Sequence, residues 1–335
     1  MSEFMNNLGN NHLINLEDDL LTNINFFIKY EGNNPTGSVK DRASHYVLHY
    51  ILNNHIINKD TTIIESSSGN FGISLSSYCK ILGLKCTIVI DPNILPINEY
   101  LISTYGSNII KVTTPDETGG YLLTRTRLIN KIINEKENYY WVCQYSNPLV
   151  AEAYFESLSD EICDELNVDY MFLGVSSGGT ITGVSRKIKK RYPNAKVIAV
   201  DVKGSVIFGD APSKRYIPGI GSSMRPQILD HAMIDDVVSV SELETICACR
   251  GFNDRHFSLI GGSSGSVYFA VQKYFQGKTF DMKPNVVVLF ADCGDRYANT
   301  IFDNGWVKAK YHIEQPQLGY MIKKMGNQNH VLSCV

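Results

Sequence analysis

Short apolar runs rich in β-branched residues alternate with longer stretches of helical periodicity along almost the whole chain. The runs Phe26 to Ile28, Thr62 to Glu65, Lys85 to Ile90, Asn108 to Val112, Tyr139 to Cys143, Tyr170 to Val175, Lys196 to Asp201 and Asn285 to Phe290 predict strands. Helical spacing follows Lys40, where Tyr46, Val47 and Tyr50 share a face, and recurs over Ile73 to Ile81, Ile181 through Lys189 and Val267 to Phe275. Strands separated by helices build a parallel sheet covered on both faces, so the expected fold class is α/β. There is no internal repeat. Met1-Ser2-Glu3-Phe4 reads as an addition before a native Met5, and the segment from about Gln315, with weak periodicity, reads as disordered in preference to a lid.

Four polar loops stand immediately before predicted helices. In Asn34-Pro35-Thr36-Gly37-Ser38-Val39-Lys40-Asp41-Arg42, the Asn-Pro and Gly supply a turn, and Ser38 is the expected cap. Lys40 then sits in the first helical turn, where backbone dipoles favour the free amine, the form that attacks an aldehyde. By itself the position also suits an ordinary solvated lysine. Ser66-Ser67-Ser68-Gly69-Asn70-Phe71-Gly72 follows a strand and offers N–H groups, hydroxyls and an amide, which suits a carboxylate or a plain serine cap. Ser176-Ser177-Gly178-Gly179-Thr180 suits a phosphate held without charged side chains. It lacks the lysine of a P-loop and the three-glycine spacing of a dinucleotide fingerprint. Gly261-Gly262-Ser263-Ser264-Gly265-Ser266, taken alone, reads as a turn.

At 335 residues and 44% hydrophobic content the chain can bury two domain cores. A net charge of −3 and a pI near 6.2 give no bulk attraction to nucleic acid or to anionic lipid. No stretch approaches a membrane span or a secretory signal, and a cytoplasmic location is expected. Eight cysteines, the closest pair being Cys247 and Cys249, lack metal-ligand spacing and read as buried free thiols. The eight histidines form no metal constellation.

Taken in order, N-P-x-G-S-x-K-D-R, S-G-N-x-G, G-G-T and G-G-S-x-G resemble the fold type II pyridoxal-phosphate enzymes, the superfamily of cysteine synthase and cystathionine β-synthase, over Leu8 to Tyr297. The resemblance implies a tryptophan synthase β-like fold of two α/β domains with pyridoxal 5'-phosphate in the cleft between them. Residues 35–144 would form the smaller, mobile domain, 1–34 and 145–312 the larger one, and 313–335 a tail. Lys40 would hold the cofactor as a Schiff base and shuttle the Cα proton. Asn70 would bond the pyridoxal hydroxyl oxygen, Ser176 to Thr180 (with Ser177, Gly178 and Gly179) would hold the phosphate, and Ser263 would meet the pyridine nitrogen. Ser67, Ser68, Asn70 and Gln144 would bind the substrate carboxylate. A homodimer is implied as well.

Departures from the cysteine synthase pattern narrow the resemblance. Phe71, Ser176 and Tyr145 replace the usual threonine, glycine and phenylalanine. With Gly119-Gly120-Tyr121-Leu122, Thr124-Arg125 and the string Lys203 to Asp210, they are similar to the N-(2-amino-2-carboxyethyl)-L-glutamate synthases of staphyloferrin B biosynthesis. That similarity implies O-phospho-L-serine and L-glutamate as substrates and a product that is a precursor of L-2,3-diaminopropionate. Arg125, Tyr145 and Ser176 would then serve the second substrate, with Arg215 and Arg225 as lesser phosphate candidates. Arg125 read alone equally suits a surface position beside Glu117 or Asp116. The alternatives are cysteine synthase, using O-acetylserine or O-phosphoserine with sulfide, another β-substituted alanine synthase, and a non-catalytic regulatory paralog.

Overall fold

A computed structural model describes residues 8–117 and 119–326. Ten strands are present among them: β1 (Leu13–Asn15), β2 (Asn25–Tyr30), β3 (Thr62–Ser66), β4 (Lys85–Ile90), β5 (Asn108–Lys111), β6 (Tyr139–Trp141), β7 (Tyr170–Gly174), β8 (Lys196–Val202), β9 (Asp236–Val240) and β10 (Asn285–Phe290). They form two sheets, one of six strands in the order β1-β2-β10-β7-β8-β9 and one of four in the order β5-β4-β3-β6. Every pairing is parallel except β1 with β2.

Both faces of each sheet are covered, and strand alternation sorts the side chains between them. Met171 and Leu173 of β7, Val197 and Ala199 of β8 and Val287 and Leu289 of β10 enter one core. Their neighbours Phe172, Ile198, Val200, Val286 and Val288 enter the opposite one. The first core continues without a break through Val47, Leu48, Ile73 and Leu75 to Ile63 and Ile88 of the four-stranded sheet. Ile64 and Val89 turn to a third cluster beneath the helix Leu122–Glu135. Each such side chain fully buried is worth roughly 1.5–3 kcal/mol of transfer energy.

The structure departs from the expected pattern in four places. The three helices expected at Ile73, Ile181 and Val267 begin earlier, at Asn70, Gly179 and Gly262, so much of each loop is the first helical turn. The strand at Tyr139 stops at Trp141, because Cys143 takes a left-handed φ of 55° that turns the chain away. β1 and β9 are too short or too exposed to show as apolar runs. Gln315–Met325, expected as disordered tail, forms a helix whose Leu318 is buried in the second core. Residues 327–335, with Cys334, and the start at Met1 to Met5 lie outside the described residues.

Candidate active site

The carboxyl ends of the parallel strands of both sheets open onto one cleft of about 670 Å³. Open α/β sheets bind ligands at such ends.

The Lys40 turn is held from several sides. Val39 donates its N–H to Ala291 beyond β10 (2.8 Å), and Glu31 donates to Phe290 at the end of that strand (2.9 Å). Gly37 supplies a φ of 79°. The Asp41 carboxylate accepts from the Thr36 N–H (2.7 Å), the Thr36 hydroxyl (2.5 Å) and the Ser74 hydroxyl (2.7 Å) of the next helix. Arg42 is ion-paired to buried Glu31 (2.6 Å) and to Glu161 (2.7 Å), and buried Lys29 meets Glu161 at 2.7 Å. The motif residues around Lys40 therefore brace its backbone and leave the amine free. Ser38, the expected cap, accepts from the Lys40 N–H at 3.3 Å, and the helix has no side-chain cap at its own N-cap, Val39.

No described side chain hydrogen-bonds the Lys40 amine, which lines the cleft 6.0 Å from the Tyr154 ring centre. Burial pulls it down to about 8, with the nearby Asp292 carboxylate working in the opposite direction. Desolvation thus makes the amine available. Asp292 is buried and accepts from Asn70 Nδ2 (2.6 Å) and from the Tyr297 hydroxyl (2.9 Å), while Arg296 donates to the Asn70 side-chain oxygen. Burial raises the Asp292 carboxyl against those hydrogen bonds.

In the serine loop, Ser67 Oγ accepts from Gly72 N (2.9 Å), which ties the loop to its own helix. Ser68 Oγ donates to Asp91 Oδ2 (2.9 Å) and accepts from Arg125 Nη1 (2.7 Å), and Arg125 pairs with Asp91 at 3.0 Å. Arg125 is only 8% exposed, and Glu117 pairs with Arg127, so the surface reading of Arg125 is wrong. Gln144 is buried, donating Nε2 to Ser66 O (3.2 Å) and its N–H to Glu65 (3.2 Å). Burial pushes the Glu65 carboxyl up to about 7.

The Ser176 hydroxyl donates to Gly221 O at 3.1 Å. Gly178 has a φ of 84°, and a Cβ there would lie 2.8 Å from Leu229 Cγ and 2.9 Å from Ile228 Cγ2. First-turn N–H groups of the helix from Gly179 have no partner within the helix. Ser263, at the start of the helix Gly262–Phe275, is buried and lines the cleft, and its hydroxyl makes no hydrogen bond within the described protein.

These residues fit pyridoxal phosphate. They offer an unpaired amine of lowered basicity, a phosphate cradle that a Cβ would fill, and an unpartnered hydroxyl across the cleft. Lys40, Ser67, Ser68, Asn70, Arg125, Gln144, Tyr145, Ser176, Ser177, Gly178, Thr180 and Ser263 all line it, whereas Gly179 packs behind, toward Val150. Arg225 lies outside, paired with Asp230 on the surface, and is not a phosphate ligand here. Sequence reading missed Asp91, Asp292 and Glu65. Asp91, following β4 in an Asp-Pro, carried the same strand-then-polar signal as the other loops. Among the described residues no cluster could hold a metal ion, and no helix is long and apolar enough to cross a membrane.

The chain is similar to a hydrogen sulfide-producing enzyme (Fn1220) from Fusobacterium nucleatum, at 26% identity and a TM-score of 0.82, covering 89% of this chain and 99% of that one. It is also similar to the O-acetylserine dependent cystathionine beta-synthase from Helicobacter pylori, at 28% identity and 0.81, covering 90% and 98%. A mutant hydrogen sulfide-producing enzyme (Fn1055), solved with an alpha-aminoacrylate intermediate, matches at 27% and 0.81 over 94% of each chain. The family model described as pyridoxal-phosphate dependent enzyme matches residues 6–292, which take in the Lys40 turn, the serine loop, the glycine cradle and Ser263. The protein therefore belongs to the pyridoxal-phosphate dependent enzyme family, with the fold type II architecture of its cysteine synthase-like members.

Proposed function

We propose that the protein catalyses β-replacement on O-phospho-L-serine with L-glutamate as nucleophile, giving N-(2-amino-2-carboxyethyl)-L-glutamate and phosphate. The Cβ–O bond breaks with phosphate as leaving group, the glutamate nitrogen forms the new bond to Cβ, and the amine loses a proton. The bound cofactor supplies an electron sink for the pair left at Cα when its proton departs. Lys40 would hold the cofactor and, as a free amine, would carry the Cα proton, a task suited to an amine near 8. The Ser263 hydroxyl, in place of a carboxylate that would keep the pyridine nitrogen protonated, would favour elimination and addition over a long-lived carbanion. The serine loop and Gln144 take the substrate carboxylate, and Asn70 the ring hydroxyl.

One observation carries the choice of nucleophile. The second-substrate side of the cleft is lined by the Tyr145 phenol, the Ser176 hydroxyl and two guanidiniums, Arg215 and the Asp91-paired Arg125 that holds Ser68, polar groups that a dicarboxylic amine uses and sulfide does not need. On the same reading the enzyme is a cytoplasmic homodimer in which residues 35–144 close over the substrate, and the product feeds diaminopropionate and siderophore synthesis. The likeness to hydrogen sulfide-producing and O-acetylserine-dependent enzymes favours a second reading, cysteine synthase. The test mixes holoenzyme with O-phosphoserine or O-acetylserine, follows cofactor absorbance, then adds glutamate or sulfide and identifies product by mass. Recovery of the resting spectrum by glutamate, with the N-linked product, is expected. Recovery by sulfide alone would promote cysteine synthase.

A further inference from the structure

We propose that Arg215 is the anion-recognition residue on the Cβ side of the cleft, while Arg125 is a positioning residue that fixes Ser68. The inference rests on the β-replacement reading above and assigns the group that receives the anionic end of a reaction partner, the phosphate of the leaving group or a carboxylate of the nucleophile.

The two guanidiniums differ in what already surrounds them. Arg125 has its charge answered by Asp91 at 3.0 Å and its Nη1 bound to Ser68 Oγ at 2.7 Å, so Asp91, Ser68 and Arg125 close a triangle under the serine loop. Arg215 also lines the cleft, yet no described carboxylate lies within 4.0 Å of it. Its Nη1 reaches Ile220 O (3.4 Å) and its Nη2 the Ser223 hydroxyl (3.3 Å), both long and both neutral, and its Nε, like that of Arg125, is buried without a partner. A half-buried cation with neutral, weak partners carries a desolvation cost that an incoming anion offsets.

The loop holds Arg215 in place. Glu242, at the start of the helix Glu242–His256, accepts the N–H groups of Tyr216 (2.7 Å) and Ile217 (2.6 Å) and the Tyr311 hydroxyl (2.8 Å). Gly221, with a φ of 75°, leaves room for the guanidinium, since a Cβ there would be 2.4 Å from Nη1. Gly221 is also the residue whose carbonyl accepts from Ser176 beside the phosphate cradle. Tyr145 lines the same cleft and feels the charge of both. Asp201 and Glu242 are the acids facing Arg215 from the neighbouring elements, at ranges beyond ion pairing.

The test compares holoenzyme of wild type, Arg215→Gln and Arg215→Lys with two donors, O-phosphoserine and O-acetylserine, and two nucleophiles, glutamate and sulfide. Loss of one charged, bidentate contact is expected to raise KM for the anionic partner about 10- to 100-fold. Arg215→Lys should recover part of it. Calorimetric titration of L-glutamate and of inorganic phosphate into each holoenzyme gives the same ranking without turnover. A rise confined to O-phosphoserine assigns the anion to the leaving group, and one confined to glutamate to the nucleophile. Arg215→Gln with unchanged KM for both anionic partners, or with equal losses for acetylserine and sulfide, overturns the inference. Wild type that uses neither anionic partner instead overturns the substrate reading and, with it, this assignment. Intact cofactor absorbance and an unshifted melt in the lysine variant separate recognition from misfolding.

Discussion

Replacing Gly178 by alanine places one methyl group where the cradle has no room. Two costs apply and can be kept apart. The backbone at φ 84° is left-handed, which costs an L-residue about 1–2 kcal/mol. The added carbon would approach Leu229 Cγ to 2.8 Å and Ile228 Cγ2 to 2.9 Å, both on buried side chains, and overpacking of this kind costs about 1–3 kcal/mol. Together they reach about 2–5 kcal/mol, within the total stability of about 5–15 kcal/mol of a folded domain, so the variant should fold with a lowered urea midpoint. If the cradle shifts to relieve the clash, a loss of only about 2 kcal/mol in its contacts weakens pyridoxal phosphate binding roughly thirtyfold. Gly179→Ala isolates the second cost, since its backbone is not left-handed and its Cβ would meet Val150 Cγ1 at 2.5 Å. Gly69→Ala serves as control, having an extended backbone and nothing within 4 Å of the new carbon. The assays are urea unfolding of the apoenzyme and cofactor titration by absorbance. Gly178→Ala with a wild-type midpoint and cofactor affinity within threefold of wild type would refute the reasoning.

Two titrations extend the set. Lys40, near 8 in the cleft against an ordinary 10.5, is about one-tenth neutral at pH 7, which is about 300 times the neutral fraction of a solvated lysine. Capture of cofactor by the apoenzyme should therefore rise with pH and level off above about 8, and a rate still climbing tenfold per pH unit beyond 10 contradicts it. Glu65, raised from 4.5 to about 7 by burial, favours its protonated form in the fold. Its stabilising contribution is present in full below pH 4.5 and is lost as pH rises through 7, an effect of about 3 kcal/mol. Glu65→Gln should lack that decline in urea unfolding measured from pH 4.5 to 8, and parallel curves for the two proteins would exclude it.

Strand positions and fold class were legible in the sequence because both faces of these sheets are buried, so β3, β4, β7, β8 and β10 read as unbroken apolar runs between turn residues. The four helix-start loops were legible for a related reason, since glycine, serine and asparagine are what a strand-to-helix turn requires. Local composition also placed Lys40 at the start of its helix. The tertiary structure decided the charges. Three arginines stood near polar loops in the sequence, and only packing pairs Arg125 with Asp91, sends Arg225 to Asp230 and leaves Arg215 facing the cleft without a carboxylate. Ion pairing and desolvation depend on distance through space between residues far apart in the chain, as with Ser68, Asp91 and Arg125, and no periodicity along the sequence encodes that distance.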